Sequence, residues 1–152
     1  MTKRIHSFSG ALAMLTIATF WTSTALTELF GSQATVIAVK TSIPWGFLLL
    51  IPALAAAGAS GFALAKGRHA GLIGAKLKRM PYIAGNGLLV LIPSALFLAS
   101  KAQSGQFDGS FYLVQAIELV AGAVNLTLLG ANMRDGLTLR RRLAQKPPAA
   151  AS

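Results

Sequence analysis

A single acidic residue lies deep inside a long apolar stretch near the end of the chain. The stretch, residues 111–132, contains no lysine or arginine, yet it includes Glu118. Polar and small residues recur along it at spacings of three, four, three and seven, which places them on one helix face. They are Gln115, Glu118, Gly122, Asn125 and Asn132. An ionisable group inside an apolar helix is costly unless it faces protein, so Glu118 is a candidate for proton, cation or quinone chemistry.

We predict an intramembrane polar site around this carboxyl group. A helix rises 1.5 Å per residue, which brings Pro52 and Pro93 to the depth of Glu118, and each proline frees one helix carbonyl. The predicted site consists of Glu118, Asn125, Gln115 and Thr22. No lysine or arginine is expected at this depth, so we expect a neutral Glu118. The simpler alternative is that Glu118 only donates a hydrogen bond to a freed carbonyl and holds helices together.

A second candidate site involves the two histidines of the chain, His6 and His69, which both lie beside basic residues. A b-type haem is held by two axial imidazoles, and its propionates pair with arginine and lysine. We therefore predict a haem b or quinone site in which His6 and His69 are ligands of the haem iron. The basic residues expected to bind the cofactor are Arg4, Arg68 and Lys76. The alternative is that both histidines are ordinary interfacial residues.

The segment 3–10, Lys-Arg-Ile-His-Ser-Phe-Ser-Gly, carries a resemblance to known families. It resembles the start of the first helix in small b561-type cytochromes, where basic residues precede a histidine. Its His-x-x-Ser-Gly portion is similar to the first helix of succinate dehydrogenase membrane anchors, where this region contributes to quinone binding. The anchors also carry a Gly-x-Arg-His segment near the haem, whereas Gly67, Arg68 and His69 here follow one another without the spacer. The third and fourth apolar segments contain no histidine.

Four apolar segments must position these residues, and each approaches the length of about 20 residues that crosses a bilayer. They cover approximately residues 8–29, 43–65, 81–100 and 111–132. We expect an amphipathic helical extension to about residue 143 and a disordered tail over 147–152. The first segment is too long for the apolar part of a signal peptide, so we interpret it as a retained helix. The predicted fold is an all-α four-helix transmembrane bundle with one domain, residues 1–146.

The placement of the cations predicts the orientation. Of the 14 lysines and arginines, all but Lys40 and Lys101 lie at the N-terminus, in the loop between the second and third segments, or near the C-terminus. The positive-inside rule then places both termini in the cytoplasm, and we expect a bacterial cytoplasmic (inner) membrane. The net charge of +10 is thus explained by topology, so we expect no nucleic-acid partner.

Composition restricts the chemistry further. Hydrophobic residues make up 54% of the chain and charged residues 12%, and the mean hydropathy is +0.61, which is too apolar for an ordinary soluble domain. The chain has no cysteine, which excludes disulfides and thiolate chemistry. Alanine and glycine recur every fourth residue at Ala53, Ala57, Gly61 and Ala65, a pattern typical of close helix contacts within a bundle or a dimer.

Three functions remain open at this point. The first is a redox protein that binds haem b or a quinone at the His6 and His69 site. The second is a non-catalytic accessory or scaffold subunit, either as a homo-oligomer or within a larger membrane complex. The third is a small proton-coupled transporter in which Glu118 carries the proton. The sequence leaves open whether the protein is an enzyme, since it shows no nucleotide-binding loop, zinc motif or serine-hydrolase motif.

Overall fold

The computed structural model describes residues 2–65 and 71–145, and this part of the chain contains helices and no strand. In chain order the elements are α1 (Thr2–Phe30), α2 (Gln33–Ala65), α3 (Gly71–Asn86), a π-helical turn (Gly87–Leu91), α4 (Ile92–Gln103) and α5 (Gly109–Ala144). The elements from α3 to α4 follow one another as a single span. The described residues thus form four helical spans, each long and apolar enough to cross a membrane.

Contacts between the spans define two ends of the bundle. His6, near the start of α1, contacts Ala57 near the end of α2, and Arg79 in α3 contacts Asp135 near the end of α5. We call this side the termini end. The opposite side carries the two tight connections, residues 31–32 and 104–108, and we call it the hairpin end.

Large apolar side chains cover the outside of the bundle. Phe30 is 83% exposed, Leu89 79% and Trp45 75%, and many leucines and phenylalanines on all spans share this exposure. A soluble monomer rarely presents so much contiguous apolar surface. The outer surface therefore suits the hydrocarbon of a bilayer, and the chain is a membrane protein built as a helical bundle.

The small residues that recur every fourth position on α2 pack inside the bundle. We call Ala53, Ala57, Gly61 and Ala65 the small-residue stripe. Ala53 belongs to a buried cluster with Ala13 and Ile17 of α1, and Ala57 is also buried. A Cβ atom added to Gly61 would lie 3.2 Å from Cε1 of His6 in α1. The stripe therefore lets α1 approach α2 closely, as expected for small residues at helix contacts in membranes.

The hairpin end is closed by a second buried cluster and a helix cap. Val36, Leu98 and Phe111 pack together from α2, α4 and α5. Asp108 caps α5, since its Oδ1 accepts a hydrogen bond from the Phe111 amide at 3.0 Å. The hydrogen bond from Lys101, together with those from Ser110 and the Phe111 amide, holds the pKa of the Asp108 carboxyl well below its usual range.

The prolines do not form the predicted polar layer. Pro52 and Pro93 are both exposed on the outside of the bundle, as are the side chains of Leu48 and Leu89, whose carbonyls the prolines free. The backbone accommodates Pro93 through the π-helical turn that directly precedes α4. Such turns insert one extra residue into a helix and frequently accompany functional sites. The turn brings Gly87 to the interior of the bundle.

The helices are longer than the apolar segments predicted. α2 begins at Gln33 instead of residue 43, the third span begins at Gly71 instead of residue 81, and α5 continues without a break from Gly109 to Ala144. Hydropathy selects only the apolar part of a span, whereas helix formation continues through its polar turns. The predicted disordered tail, residues 147–152, lies outside the described residues.

Candidate functional site

A cavity of about 690 Å³ runs along the inside of the bundle between all four spans. Its walls include Phe62 and Leu77 toward the termini end, and Thr24 and Glu118 toward the hairpin end. On α1 it extends from Gly10 to Thr24, which at 1.5 Å per residue is a length of about 20 Å. The lining is almost entirely apolar, and Glu118 is the single ionisable side chain that the described residues contribute to it.

The cavity has a lateral opening between α2 and α3. These two helices touch only weakly, whereas α1 and α2 pack along their length. Ile51 and Phe62 of α2 and Leu88 of the π-helical turn line the cavity and are also 47%, 63% and 61% exposed. Side chains that face both the cavity and the outer surface form the rim of an opening. The opening is directed at the membrane interior.

Glu118 forms an ion pair with Lys40 at the hairpin end of the cavity. The Lys40 Nζ atom donates to Oε2 of Glu118 at 2.5 Å, and the side chains are 1% and 12% exposed. The prediction that no basic residue lies at this depth is therefore wrong. The sequence interpretation placed Lys40 in a loop, but α2 begins seven residues earlier and carries it into the bundle. A charged pair is far less costly in a low-dielectric interior than either charge alone.

Two further polar side chains complete this region. Glu28 of α1 is close enough to Lys40 and Glu118 for both charges to act on it. Its Oε1 atom is buried and, among the described residues, has no hydrogen-bond partner. Gln115, one turn before Glu118 on α5, is 4% exposed, and both atoms of its amide are buried without a partner in the same part of the chain. We call Glu28, Lys40, Gln115 and Glu118 the hairpin-end cluster.

Trp21, and not the predicted Thr22, takes part in the site. The indole Nε1 of Trp21 donates to the Leu119 carbonyl at 2.8 Å. The ring fits because residue 122 is glycine: a Cβ atom there would lie 2.7 Å from Cδ1 of Trp21. Thr22 is exposed on the outside, since one residue rotates a helix by about 100° and the inward face of α1 carries Trp21 and Thr24 instead.

Asparagines join α3 to α5 beside the π-helical turn. The Asn86 Nδ2 atom donates to the Ala121 carbonyl at 2.8 Å and to Oδ1 of Asn125 at 3.1 Å. Asn125 in turn donates to the Ile83 carbonyl at 3.5 Å and lines the cavity. The predicted residue Asn125 is thus part of the cavity wall, with its amide engaged. Sequence reasoning missed Asn86, although an amide inside an apolar segment is itself a signal of an internal hydrogen bond.

The termini end carries a second buried ionic group. Arg79 donates through Nη1 to Oδ2 of Asp135 at 2.6 Å and to Oδ1 of Asn132 at 3.3 Å. Asp135 and Asn132 are each 7% exposed. Lys76 is half-buried nearby, and its Nζ would lie 3.4 Å from a Cβ atom at Gly136. We call Lys76, Arg79, Asn132 and Asp135 the termini-end cluster.

The described residues include only part of the predicted haem site, which stays a prediction. The His6 Nδ1 atom is 3.0 Å from the Ala57 carbonyl and 3.2 Å from Oγ of Ser60, so a proton on Nδ1 leaves Nε2 as the free ring nitrogen. Lys76 is close enough for its charge to act on His6, whereas Arg4 is exposed. His69 and Arg68 lie outside the described residues. Within residues 2–65 and 71–145 no three histidine, aspartate or glutamate residues group together as metal ligands.

The cavity and the polar side chains around it are the features that bear on function. Comparison with protein-family models, with curated proteins and with solved structures finds no match to the chain. Of the four residues predicted for the intramembrane site, Glu118 and Asn125 line the cavity, Gln115 lies one turn from Glu118, and Thr22 is exposed.

Proposed function

We propose that the protein binds a lipid-like molecule with a polar head group, of the quinone class, in the cavity between its four spans. We further propose that it does so in a bacterial cytoplasmic membrane, with both termini in the cytoplasm. The observation that carries the proposal is the elongated apolar cavity, whose hairpin end holds the carboxyl group of Glu118.

The dimensions of the cavity favour a molecule with a tail. Its volume of about 690 Å³ falls within the range of small-molecule sites. A length of about 20 Å along α1 suits a hydrocarbon or isoprenoid chain better than a compact solute. The lateral opening between α2 and α3 gives such a molecule a route from the bilayer that avoids water.

The polar end of the cavity favours an uncharged head group. Among the described residues, Glu118 accepts a hydrogen bond only through Oε2, from Lys40, so Oε1 is free to accept one from a hydroxyl. The hydroxyl of Thr24 lines the same end and can donate to a carbonyl. A phosphate head group would instead meet the negative charge of Glu118, which disfavours a phospholipid in this orientation. A quinone or quinol carries the carbonyl and hydroxyl groups that this end can bind.

Fluorescence of Trp21 provides a direct test. The chain has two tryptophans; Trp21 lines the cavity and Trp45 is 75% exposed on the outside. Trp45→Phe therefore leaves a single reporter in the cavity. With this variant in lipid nanodiscs, titration of a short-chain ubiquinone should quench Trp21 saturably. Quenching that increases linearly with quinone content, as collisions in the bilayer would produce, contradicts the proposal.

A matched pair of glycine substitutions separates binding in the cavity from binding elsewhere. Gly58 lines the cavity and Gly85 does not, and a Cβ atom at either position meets nothing within 4 Å. Gly58→Leu should fill part of the cavity and weaken binding about tenfold, which corresponds to about 1.4 kcal/mol. Gly85→Leu should bind like the parent protein. Equal affinities for the two variants would place the quinone outside the cavity.

The haem hypothesis remains a prediction and is tested on the same preparation. A reduced-minus-oxidised absorption spectrum with haem bands that disappear in His6→Ala would establish haem binding at the predicted site. Purified protein that stays colourless after incubation with haem would exclude it. Either result leaves the quinone titration valid, because His6 does not line the cavity.

A further inference from the structure

We propose that the hairpin-end cluster binds one exchangeable proton together with bound water, and that Glu28 carries this proton. The cluster joins two carboxyl groups, Glu28 and Glu118, to one amino group, Lys40. Fully ionised, the cluster has a net charge of −1. Lys40 is 1% exposed, Glu118 is 12% exposed, and one of the two carboxyl oxygens of Glu28 is buried. A net charge at a site largely withdrawn from water is costly, and uptake of one proton removes it.

No other group of the described residues neutralises this charge. On α4 and the following turn, Lys101 and Asp108 pair with each other at 2.5 Å on the surface. The cations of the termini-end cluster lie near Asp135, which is 17 residues from Glu118 on the same helix, or about 25 Å away. Charge balance within the cluster therefore requires one added positive charge. A proton can supply it without the set of coordinating ligands that a metal cation needs.

The hydrogen bonds indicate where the proton resides. Glu118 accepts the short hydrogen bond from Lys40, so it is the carboxyl group of the cluster that has an ion-pair partner. Glu28 has no ion-pair partner among the described residues, and its buried Oε1 has no hydrogen-bond partner there either. The Gln115 amide offers one acceptor and one donor that are equally unsatisfied. Buried polar atoms are almost always paired with protein or ordered water, so bound water accounts for the unpaired Oε1 of Glu28 and for the unpaired amide of Gln115.

The position of the cluster makes this proton exchangeable on two sides. Glu28 lies two residues before the end of α1, at the hairpin end, where the connections meet water. Glu118 faces the cavity. A proton released by Glu28 leaves its carboxylate in place and passes to water or, through the cluster, to an acceptor in the cavity. Use of the proton by a ligand rests on the proposed function, whereas binding of the proton does not.

Infrared spectroscopy of the protein in a detergent without ester groups tests the proposal by counting protonated carboxyl groups. The chain has only four acidic side chains, so the carbonyl band of a protonated carboxyl can be assigned by substitution. At neutral pH we expect one such group in the parent protein. Glu28→Gln should remove the band. Glu118→Gln should remove it too, because Glu28 then becomes the carboxylate that pairs with Lys40.

Two more variants complete the count. Lys40→Met should give two protonated carboxyl groups, since neither has a cation left. Asp108→Asn, at the exposed cap, should leave the band unchanged. A parent protein without the band, or a band that persists in Glu28→Gln, overturns the proposal even if Lys40→Met fails to fold. Failure of the quinone titration with an intact infrared pattern would reject the proposed ligand and retain the proton site.

Discussion

The two ends of the bundle differ in the number of positive charges that surround their carboxyl groups. At the termini end, Arg79 donates to both Asp135 and Asn132, and Asp135 also interacts with Lys76. The carboxyl group there has more positive charge around it than it needs. At the hairpin end, Lys40 serves two carboxyl groups and donates to only one of them.

This difference separates a structural ion pair from a site that can change state. Buried ion pairs contribute little net stability, but they are costly to break, so a balanced pair fixes helix positions. A cluster with a surplus carboxyl group can take up and release one proton while the ion pair between Lys40 and Glu118 stays in place. The hairpin-end cluster also reaches the cavity through Glu118. We therefore infer that the termini-end cluster holds α3 against α5. The hairpin-end cluster is the part in which we propose that a proton is bound and released.

The largest expected effect is that of Lys40→Ala. It leaves Glu28 and Glu118 without a cation, and removal of one partner from a buried pair costs about 3–5 kcal/mol. The loss should shrink as the pH is lowered, because the folded variant binds one more proton than the folded parent protein, and uptake of this proton costs less free energy in acid. Thermal unfolding in detergent at several pH values measures this. A pH-independent loss would mean that Lys40 acts through packing alone.

Asp135→Asn should have the next largest effect on stability. Unlike Lys40→Ala, it should not change the number of protonated carboxyl groups. The amide keeps the shape of the carboxylate but weakens the hydrogen bond from Arg79, with an expected loss of about 1–2 kcal/mol. Arg79 is 29% exposed and can be hydrated, which limits the cost. Unfolding midpoints should fall at neutral pH, while the infrared carboxyl band stays as in the parent protein. A loss as large as that of Lys40→Ala would remove the distinction between the two ends.

Asp108→Ala serves as the exposed reference and should cost less than either buried substitution. The contacts of Asp108 lower its pKa in the folded protein relative to the usual value of 3.8. Its contribution to stability is therefore complete above about pH 4 and is lost as the pH falls through the lower folded-state pKa. Asp108→Asn keeps the helix cap and should lie between the parent protein and Asp108→Ala. A difference between parent and alanine variant that grew in acid would contradict this sign.

Glu28→Gln is the substitution with the smallest expected effect on stability. It also gives the most direct comparison between a carboxyl group at the hairpin end and one at the termini end. If Glu28 already carries a proton, the neutral amide replaces a neutral carboxyl group, and no stability is lost at pH 7. The matched substitution at the other end, Asp135→Asn, does lose stability under the same conditions. Equal losses at both ends would show that Glu28 is ionised and structurally required.

The fold follows largely from hydropathy, but the details of the site depend on helix phase and helix length. Four spans were predictable because lipid-facing segments must be apolar along about 20 residues. Thr22 was assigned to the site from its depth alone, and depth does not determine which way a side chain faces. A tightly packed residue such as Gly122 is visible only once Trp21 is placed against it.

Lys40 shows why the ion pair was missed. It was treated as a loop residue because cations usually mark loops. Its neighbours nevertheless carry the signal: residues 34–39 read Ala-Thr-Val-Ile-Ala-Val, which is apolar enough to continue a helix toward Ile43. One lysine and one glutamate, each isolated in an apolar surrounding, are natural partners even when 78 residues apart. Glu28, by contrast, lies close to Lys40 and Glu118 only because α1 packs against α2. No pattern in the sequence around Glu28 indicates this proximity.

The long separation between Lys40 and Glu118 also has a consequence for how the protein is made. During synthesis α2 emerges before α5, so Lys40 lacks its ion-pair partner Glu118 when its own helix first meets the membrane. Because Lys40 is seven residues from the start of α2, or about 10 Å, its flexible side chain can remain at the membrane surface in this early state. Arrival of α5 then draws the amino group inward. Formation of α5 thus completes the insertion of α2, and a chain shortened before Glu118 should hold α2 in a shallower position.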